Sequence, residues 1–230
     1  MAFNPASYTV SEPKSIPVVL LLDTSYSMVE DGKIDNLNKA VEQMIDAFKK
    51  AETMEVFIKV AIITFGNNGV ELHTPLTEVS NIEFSPLKAD GSTPMGTALK
   101  MAKDMIEDKD IIRGRDYRPA VVLVSDGMPN DDWRGPLDDF VNTGRTKKCD
   151  RLALAIGSDA DKDVLNMFID GCDNSLFFAE DAVDIVEKFK FITMSVTTRS
   201  KSSNPNQTIN VSKSLDRSEE ANSDDDDLDF

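Results

Sequence analysis

Apolar residues in this chain follow two alternating rhythms. Continuous runs at 16–22 (Ile-Pro-Val-Val-Leu-Leu-Leu), 56–65, 120–124 and 152–156 lack the polar alternation of a strand with one wet face. Each therefore reads as a strand covered on both sides. Between the first two, Ile34, Leu37, Val41, Met44, Ile45 and Phe48 recur at helical spacing and predict an amphipathic helix over 33–51. Pro94 opens a second helix, with Ala98, Leu99, Ala102, Met105 and Ile106 on one face. Further helices are predicted from Trp133, from Lys162, and from Val183 to Met194. Val70, Leu72 and Leu76 alternate with Glu71 and His73, as in a half-exposed edge strand, and 176–178 reads as a last short strand.

Strand and helix alternating in this way require crossover connections and a sheet between two helical layers. The expected fold is α/β: a Rossmann-like, doubly wound, mostly parallel sheet with one antiparallel edge strand and helices on both faces. Ligands of such sheets gather outside the carboxyl ends of the strands. Function is therefore sought just after Leu22, just before Pro94 and just after Val124.

Charge changes the picture at one end. The chain has 41 acidic and 25 basic side chains, a formal net charge of −16 over 230 residues. Nucleic acid and anionic membrane surfaces both call for surplus Lys and Arg, so neither is an expected partner. Residues 216–230 hold eight acids and one base, −7 of the −16. Residues 197–214 are mostly Ser, Thr, Asn, Gln and Lys. Such a stretch buries too little surface to offset its ordering entropy. The expected organisation is a lead-in at 1–14, one folded domain at 15–196, and a disordered Ser/Thr-rich and acidic tail at 197–230. No run reaches the ~20 apolar residues of a membrane span. The Met1-Ala2-Phe3-Asn4-Pro5 start has neither the basic flank nor the apolar core of an export signal. Two cysteines, Cys149 and Cys172, fit buried or free thiols in a reducing cytosol. The expected location is cytoplasmic.

Three short motifs fall at the three strand ends: Asp23-Thr24-Ser25-Tyr26-Ser27, Gly91-Ser92-Thr93-Pro94 and Ser125-Asp126-Gly127. Each carries hydroxyls or a carboxylate, and none has a neighbouring Cys or His. An all-oxygen donor set suits a hard cation such as Mg²⁺ rather than zinc. Taken together and in this order, the motifs resemble the metal-ion-dependent adhesion site of von Willebrand factor type A domains. That family's pattern is Asp-x-Ser-x-Ser, then Thr, then Asp, and the resemblance covers residues 15–196. It implies that Ser25, Ser27 and Thr93 bind the metal through their hydroxyls, with Asp23 and Asp126 close by and acting through water. Mg²⁺ is the implied ion, with Mn²⁺ or Ca²⁺ as alternatives. Neutral oxygens leave such an ion with much of its charge, so it attracts an Asp or Glu carboxylate from a partner protein. Tyr26 and Ser92 stand where the family commonly has Gly, and a Cβ at Tyr26 resists positive φ. Tyr26 either packs on the loop or stands exposed as an aromatic anchor.

Other polar features have plainer readings. Thr93 before Pro94 also fits a helix N-cap, and Asp131 and Asp132 fit capping of the helix at Trp133. Asp159-Ala160-Asp161-Lys162-Asp163 begins like a calcium loop, but Val164 replaces the required Gly and Asp170 the required Glu. It reads as a capping loop. His73, the one histidine, has no second ligand nearby. Nucleotide-binding glycine motifs and the G-x-S-x-G elbow are missing from the sequence, so an enzyme is not expected. The A domain also looks like the bacterial cytosolic members linked to tellurite resistance, stress response and phage defence (the TerY-like group). That likeness implies action alongside a Ser/Thr kinase and a PP2C-type phosphatase, and the Ser and Thr residues of the tail are expected targets of phosphorylation. The alternative is an adaptor subunit of an AAA+ ATPase in a chelatase-like complex.

Overall fold

The longest apolar run forms the middle of the sheet. In a computed structural model that describes residues 13–66 and 69–208, β1 (Lys14–Thr24) lies between β2 (Val56–Gly66) and β4 (Ala120–Ser125). β3 (Gly69–Glu78), β5 (Asp150–Ile156) and β6 (Phe177–Ala179) complete the order β3-β2-β1-β4-β5-β6. All pairings are parallel except β2 with β3, the antiparallel edge expected from the alternation at Val70. Pro17 is tolerated in so central a strand because the ladder to β4 begins one residue later, at Val18.

Five helices cover the sheet: α1 (Lys33–Ala51), α2 (Met95–Glu107), α3 (Arg134–Asn142), α4 (Lys162–Ile169) and α5 (Ala182–Lys201). Along β1, Ile16, Val18, Leu20 and Leu22 pack with α1 and α5, while Val19 and Leu21 pack with α2, α3 and α4. Both faces are dry, which is why the run shows no polar alternation. Each fully buried aliphatic side chain stabilises the fold by about 1.5–3 kcal/mol.

Three expectations change. First, α5 passes the 196 boundary and continues to Lys201, with Arg199 and Ser200 buried. Residues 202–208 then lie against the amino-terminal (lower) edge of the sheet, where Asn206 meets the Arg118 amide and Pro205 is buried. The polar composition of 197–201 hid this, because two of the three partners of Arg199, Asp150 and Arg118, are far away in sequence. Its Nη1 meets Asp150 Oδ2 at 3.2 Å, its Nε donates to the Pro205 carbonyl and its Nη2 to the Arg118 carbonyl. Residues 1–12 and 209–230 lie outside the described residues, so the acidic run and most of the lead-in have no structural counterpart here.

Second, Thr93 does not cap α2. Asp131 does so from the loop after β4, accepting from the Gly96 and Thr97 amides at 2.9 and 2.8 Å. Gly96 permits that approach, since a Cβ there would stand 2.5 Å from the Asp132 carbonyl oxygen. Third, Asp131 therefore serves α2 and not the α3 helix that follows it. The Asp161 loop does cap α4, accepting from Val164 N at 3.1 Å.

The Arg199–Asp150 pair ties the end of α5 to the start of β5, and both side chains are fully buried. Asp150→Ala strands a buried guanidinium and should cost about 3–5 kcal/mol in urea denaturation. Replacing both residues with apolar ones should recover a substantial part of that loss.

Candidate metal site

β1 and β4 are neighbours in space with chain crossovers leaving in opposite directions, which makes their carboxyl ends the switch point of the sheet. Their register aligns Leu22 with Val124, so Asp23 and Ser125 emerge side by side. The Ser125 hydroxyl donates to Asp23 Oδ2 at 2.6 Å, and the Ser25 amide donates to Asp23 Oδ1 at 2.8 Å. Asp23 thus joins the two strands and shapes the turn that carries both serines.

From that turn the hydroxyls face one another. Ser25 Oγ and Ser27 Oγ are 3.1 Å apart, and Ser27 Oγ donates to Asp126 Oδ1 at 2.7 Å. Asp126 Oδ2 accepts from the Lys33 ammonium at 2.8 Å, and the same ammonium reaches the Ser27 carbonyl at 3.4 Å. The structure therefore brings four of the five expected residues into one bonded network. Thr93 lies outside that network: its amide donates to Asn130 Oδ1 at 3.2 Å, and its carbonyl accepts from the Asn130 amide. The preceding Gly91 (φ 76°) turns its carbonyl to the Tyr26 amide at 3.1 Å, docking the Gly91-Ser92-Thr93 segment on the serine turn. Tyr26 is exposed. It also escapes strain, because Asp31 is the one non-glycine with positive φ among the described residues.

The donor set fits a small hard cation. Ligands of an octahedral Mg²⁺ at 2.0–2.1 Å stand about 2.9 Å apart, close to the separation of the two serine hydroxyls. Among the described residues no three His, Cys, Asp or Glu side chains cluster as a metal site, so an ion here depends on hydroxyls. His73 is accounted for otherwise, with Nε2 2.9 Å from the Ser85 carbonyl oxygen.

The family model of the von Willebrand factor type A domain matches residues 18–191. The chain belongs to this family. Proximal thread matrix protein 1 from the mussel byssus is similar in structure, with a TM-score of 0.64 at 19% identity over 79% of this chain and 48% of that one. A second structure of that mussel protein, with zinc in its MIDAS motif, gives 0.62 at 16% identity over 79% and 48%. The ArnB paralog VWA2 of Sulfolobus acidocaldarius gives 0.59 at 16%, covering 79% of this chain and 46% of that one. At these identities the likeness shows the fold, and the chain spans just under half the length of each of these structures. A comparison with curated proteins gave no significant match.

Within this A domain, Lys33 is a residue of the network that sequence reasoning passed over, and Ser125 was named in its motif without a role. Lys33 left one local signal. It opens α1 directly after Gly32 (φ 72°), where a cation opposes the helix dipole. A nearby anion has to compensate, and Asp126 supplies it from 93 residues away.

Asp23 is a carboxyl held far from its ordinary state. Burial pushes its carboxyl from 3.8 up to about 6, against the opposing hydrogen bonds from Ser125 and Ser25, and the Asp126 charge adds to the rise. An acid with a raised folded pKa holds its stabilising proton at low pH and loses that contribution as pH climbs through the folded value. The metal-free A domain should therefore lose about 3 kcal/mol of stability between roughly pH 4 and 6 from this group alone. In EDTA, Asp23→Asn should flatten that part of the profile and raise the unfolding midpoint at neutral pH. A profile unchanged by the substitution would rule the assignment out.

Proposed function

We propose that this A domain is a metal-dependent protein-binding module. In this reading Ser25, Ser27 and Thr93 hold a Mg²⁺ ion through their hydroxyls, with Asp23 and Asp126 steadying it through water. The observation that carries the reading is the Ser27 hydroxyl, bonded to both Ser25 and Asp126 at the mouth of the switch point. When bound, the ion supplies an electrophilic position for a partner's Asp or Glu carboxylate. The protein's own groups do the rest. Asp23 holds the serine turn, the Gly91 carbonyl pins the Tyr26 amide, and Lys33 balances Asp126.

The rim supports a protein partner. Tyr26 is 63% exposed, Met128 70% and Val29 49%, and all three lie within two residues of a proposed metal-holding side chain. Aromatic and Met side chains are enriched at interface centres. A domains are generally interaction modules, and the site offers no activated nucleophile, so the reading is of a binding protein and not an enzyme. No helix among the described residues is long and apolar enough to cross a membrane. We infer a cytoplasmic setting beside a Ser/Thr kinase and a PP2C-type phosphatase in a bacterial stress response, on the sequence resemblance alone.

Titration calorimetry with Mg²⁺ and Mn²⁺ tests the metal. Wild type should bind, Ser27→Ala should bind at least tenfold more weakly, and Lys33→Met should bind about tenfold more tightly, because a cation beside the site is removed. Heat signals identical for wild type and Ser27→Ala would sink the site. Capture of partners from the native cell should need Mg²⁺ and fail in EDTA or with Asp23→Ala. Recovery of an AAA+ ATPase instead of a kinase or phosphatase would favour the adaptor role.

A further inference from the structure

The two ends of the sheet carry opposite charge. At the metal end, Glu30, Asp31, Asp159, Glu180 and Asp181 line a cleft of about 400 Å³ with Lys33 as its one cation. At the other end, Arg118, Lys147 and Lys148 line a pocket of about 240 Å³ together with Cys172. Both β5 termini take part, Ile156 in the acidic cleft and Asp150 in the basic pocket. Seven residues of strand separate them, roughly 20 Å.

The basic pocket has charge to spare. Its two acids are Asp150 and Asp173. Asp150 is committed to Arg199 and to Asn174 Nδ2 at 2.7 Å, and Asp173 also has a partner. Arg118, Lys147 and Lys148 are exposed and form no ion pair within the described residues. On a chain of net charge −16, such a cluster calls for an anion.

The path of the chain says which anion. After α5 the backbone is fastened to this lower edge. The Arg199 Nε bonds to the Pro205 carbonyl at 3.0 Å, and Asn206 Oδ1 accepts from the Arg118 amide at 2.8 Å. The described chain then stops at Thr208, which is itself part of the pocket wall. The polypeptide that follows carries Asp216, Glu219, Glu220, Asp224, Asp225, Asp226, Asp227 and Asp229. A polyacid tethered at the lip of a basic pocket meets it at an effective concentration in the millimolar range. The metal end is both farther away and lined by five acids, which repel it.

We propose that the acidic segment 216–229 docks in the same molecule on Arg118, Lys147 and Lys148. The contact is electrostatic and surface-exposed. Each pair contributes about 0.2–1 kcal/mol and weakens as salt shortens the screening length. Docking is therefore reversible, and an anionic partner of higher charge density displaces it.

Zero-length carbodiimide coupling of the full chain at low ionic strength, read by peptide mass spectrometry, tests this. A mixture of isotopically light and heavy protein distinguishes links within one chain from links between chains. The expected result is that Lys147 and Lys148 dominate the lysines joined to 216–229 within one chain. Those links should be lost in about 0.5 M salt. Links spread evenly over exposed lysines, concentrated on Lys33, or formed between light and heavy chains would each overturn the proposal. As a second readout, Asn at the five aspartates of 224–229 should speed alkylation of Cys172 by a neutral reagent several-fold. Cys149 is buried and serves as the silent control. An unchanged rate at Cys172 would also overturn it.

Discussion

A single desolvated carboxylate organises the upper edge of this domain. Asp23 is fully buried, at the one point where two adjacent strands leave the sheet in opposite directions. Without compensation a charge in such a place would be expelled or neutralised. It keeps its position because Ser125 supplies a hydroxyl from β4 and Ser25 an amide from the following turn. Those two bonds fix the direction in which the serine turn leaves β1. Ser27, Asp126 and Lys33 then fall into place around it. In a domain with a total stability of some 5–15 kcal/mol, a residual cost near 3 kcal/mol is a large fraction. A destabilising group retained at the heart of a crevice fits a site kept for binding more than one kept for stability.

How far the sequence discloses this structure depends on the range of the interactions involved. Dry strands are legible because burial on both faces removes every polar residue from runs such as 16–22 and 120–124. The edge strand shows its alternation, and α1 its stripe from Ile34 to Phe48. Asp23, Ser25, Ser27 and Asp126, which the structure brings together at the switch point, stand in ordered motifs at strand ends. Interactions that span the chain left fainter marks. Asp131 looked like a cap for its own helix and caps one that begins 36 residues earlier. Lys33 entered only as the first residue of a helix, and its partner Asp126 is 93 residues away. The last turn of α5 looked like tail because Thr, Arg and Ser are poor evidence of burial. The burial of Arg199 follows from Asp150 and the distant Arg118 carbonyl, and Ser200 meets the Ala51 carbonyl, contacts that no local pattern records.

The charge polarity of the molecule follows from its topology. Crossover helices between parallel strands all run back against the strand direction, so their amino termini gather at the carboxyl edge of the sheet. That edge presents unsatisfied amides and positive dipole ends, and it selects acids. Asp131, Asp161 and Asp181 all accept amides there. The opposite edge gathers helix carboxyl termini and selects cations. Arg151 illustrates the rule. Fully buried, it donates to the carbonyls of Thr146, Lys147, Phe168 and Asp170 and needs no carboxylate.

One consequence bears on the metal site. Helix amino termini favour anions, so a cation at that edge is opposed by the dipoles around it unless carboxylates intervene. Asp23 and Asp126 are those intermediaries, but between them Lys33 already neutralises one charge. On the proposed reading, the remaining field would attract a divalent ion without saturating it. An ion in that field still lacks a full complement of negative charge, and the dipole ends behind it are positive as well. Both conditions favour a carboxylate arriving from outside. The same parallel topology that assembles the crevice therefore also sets the sign of what it can recognise.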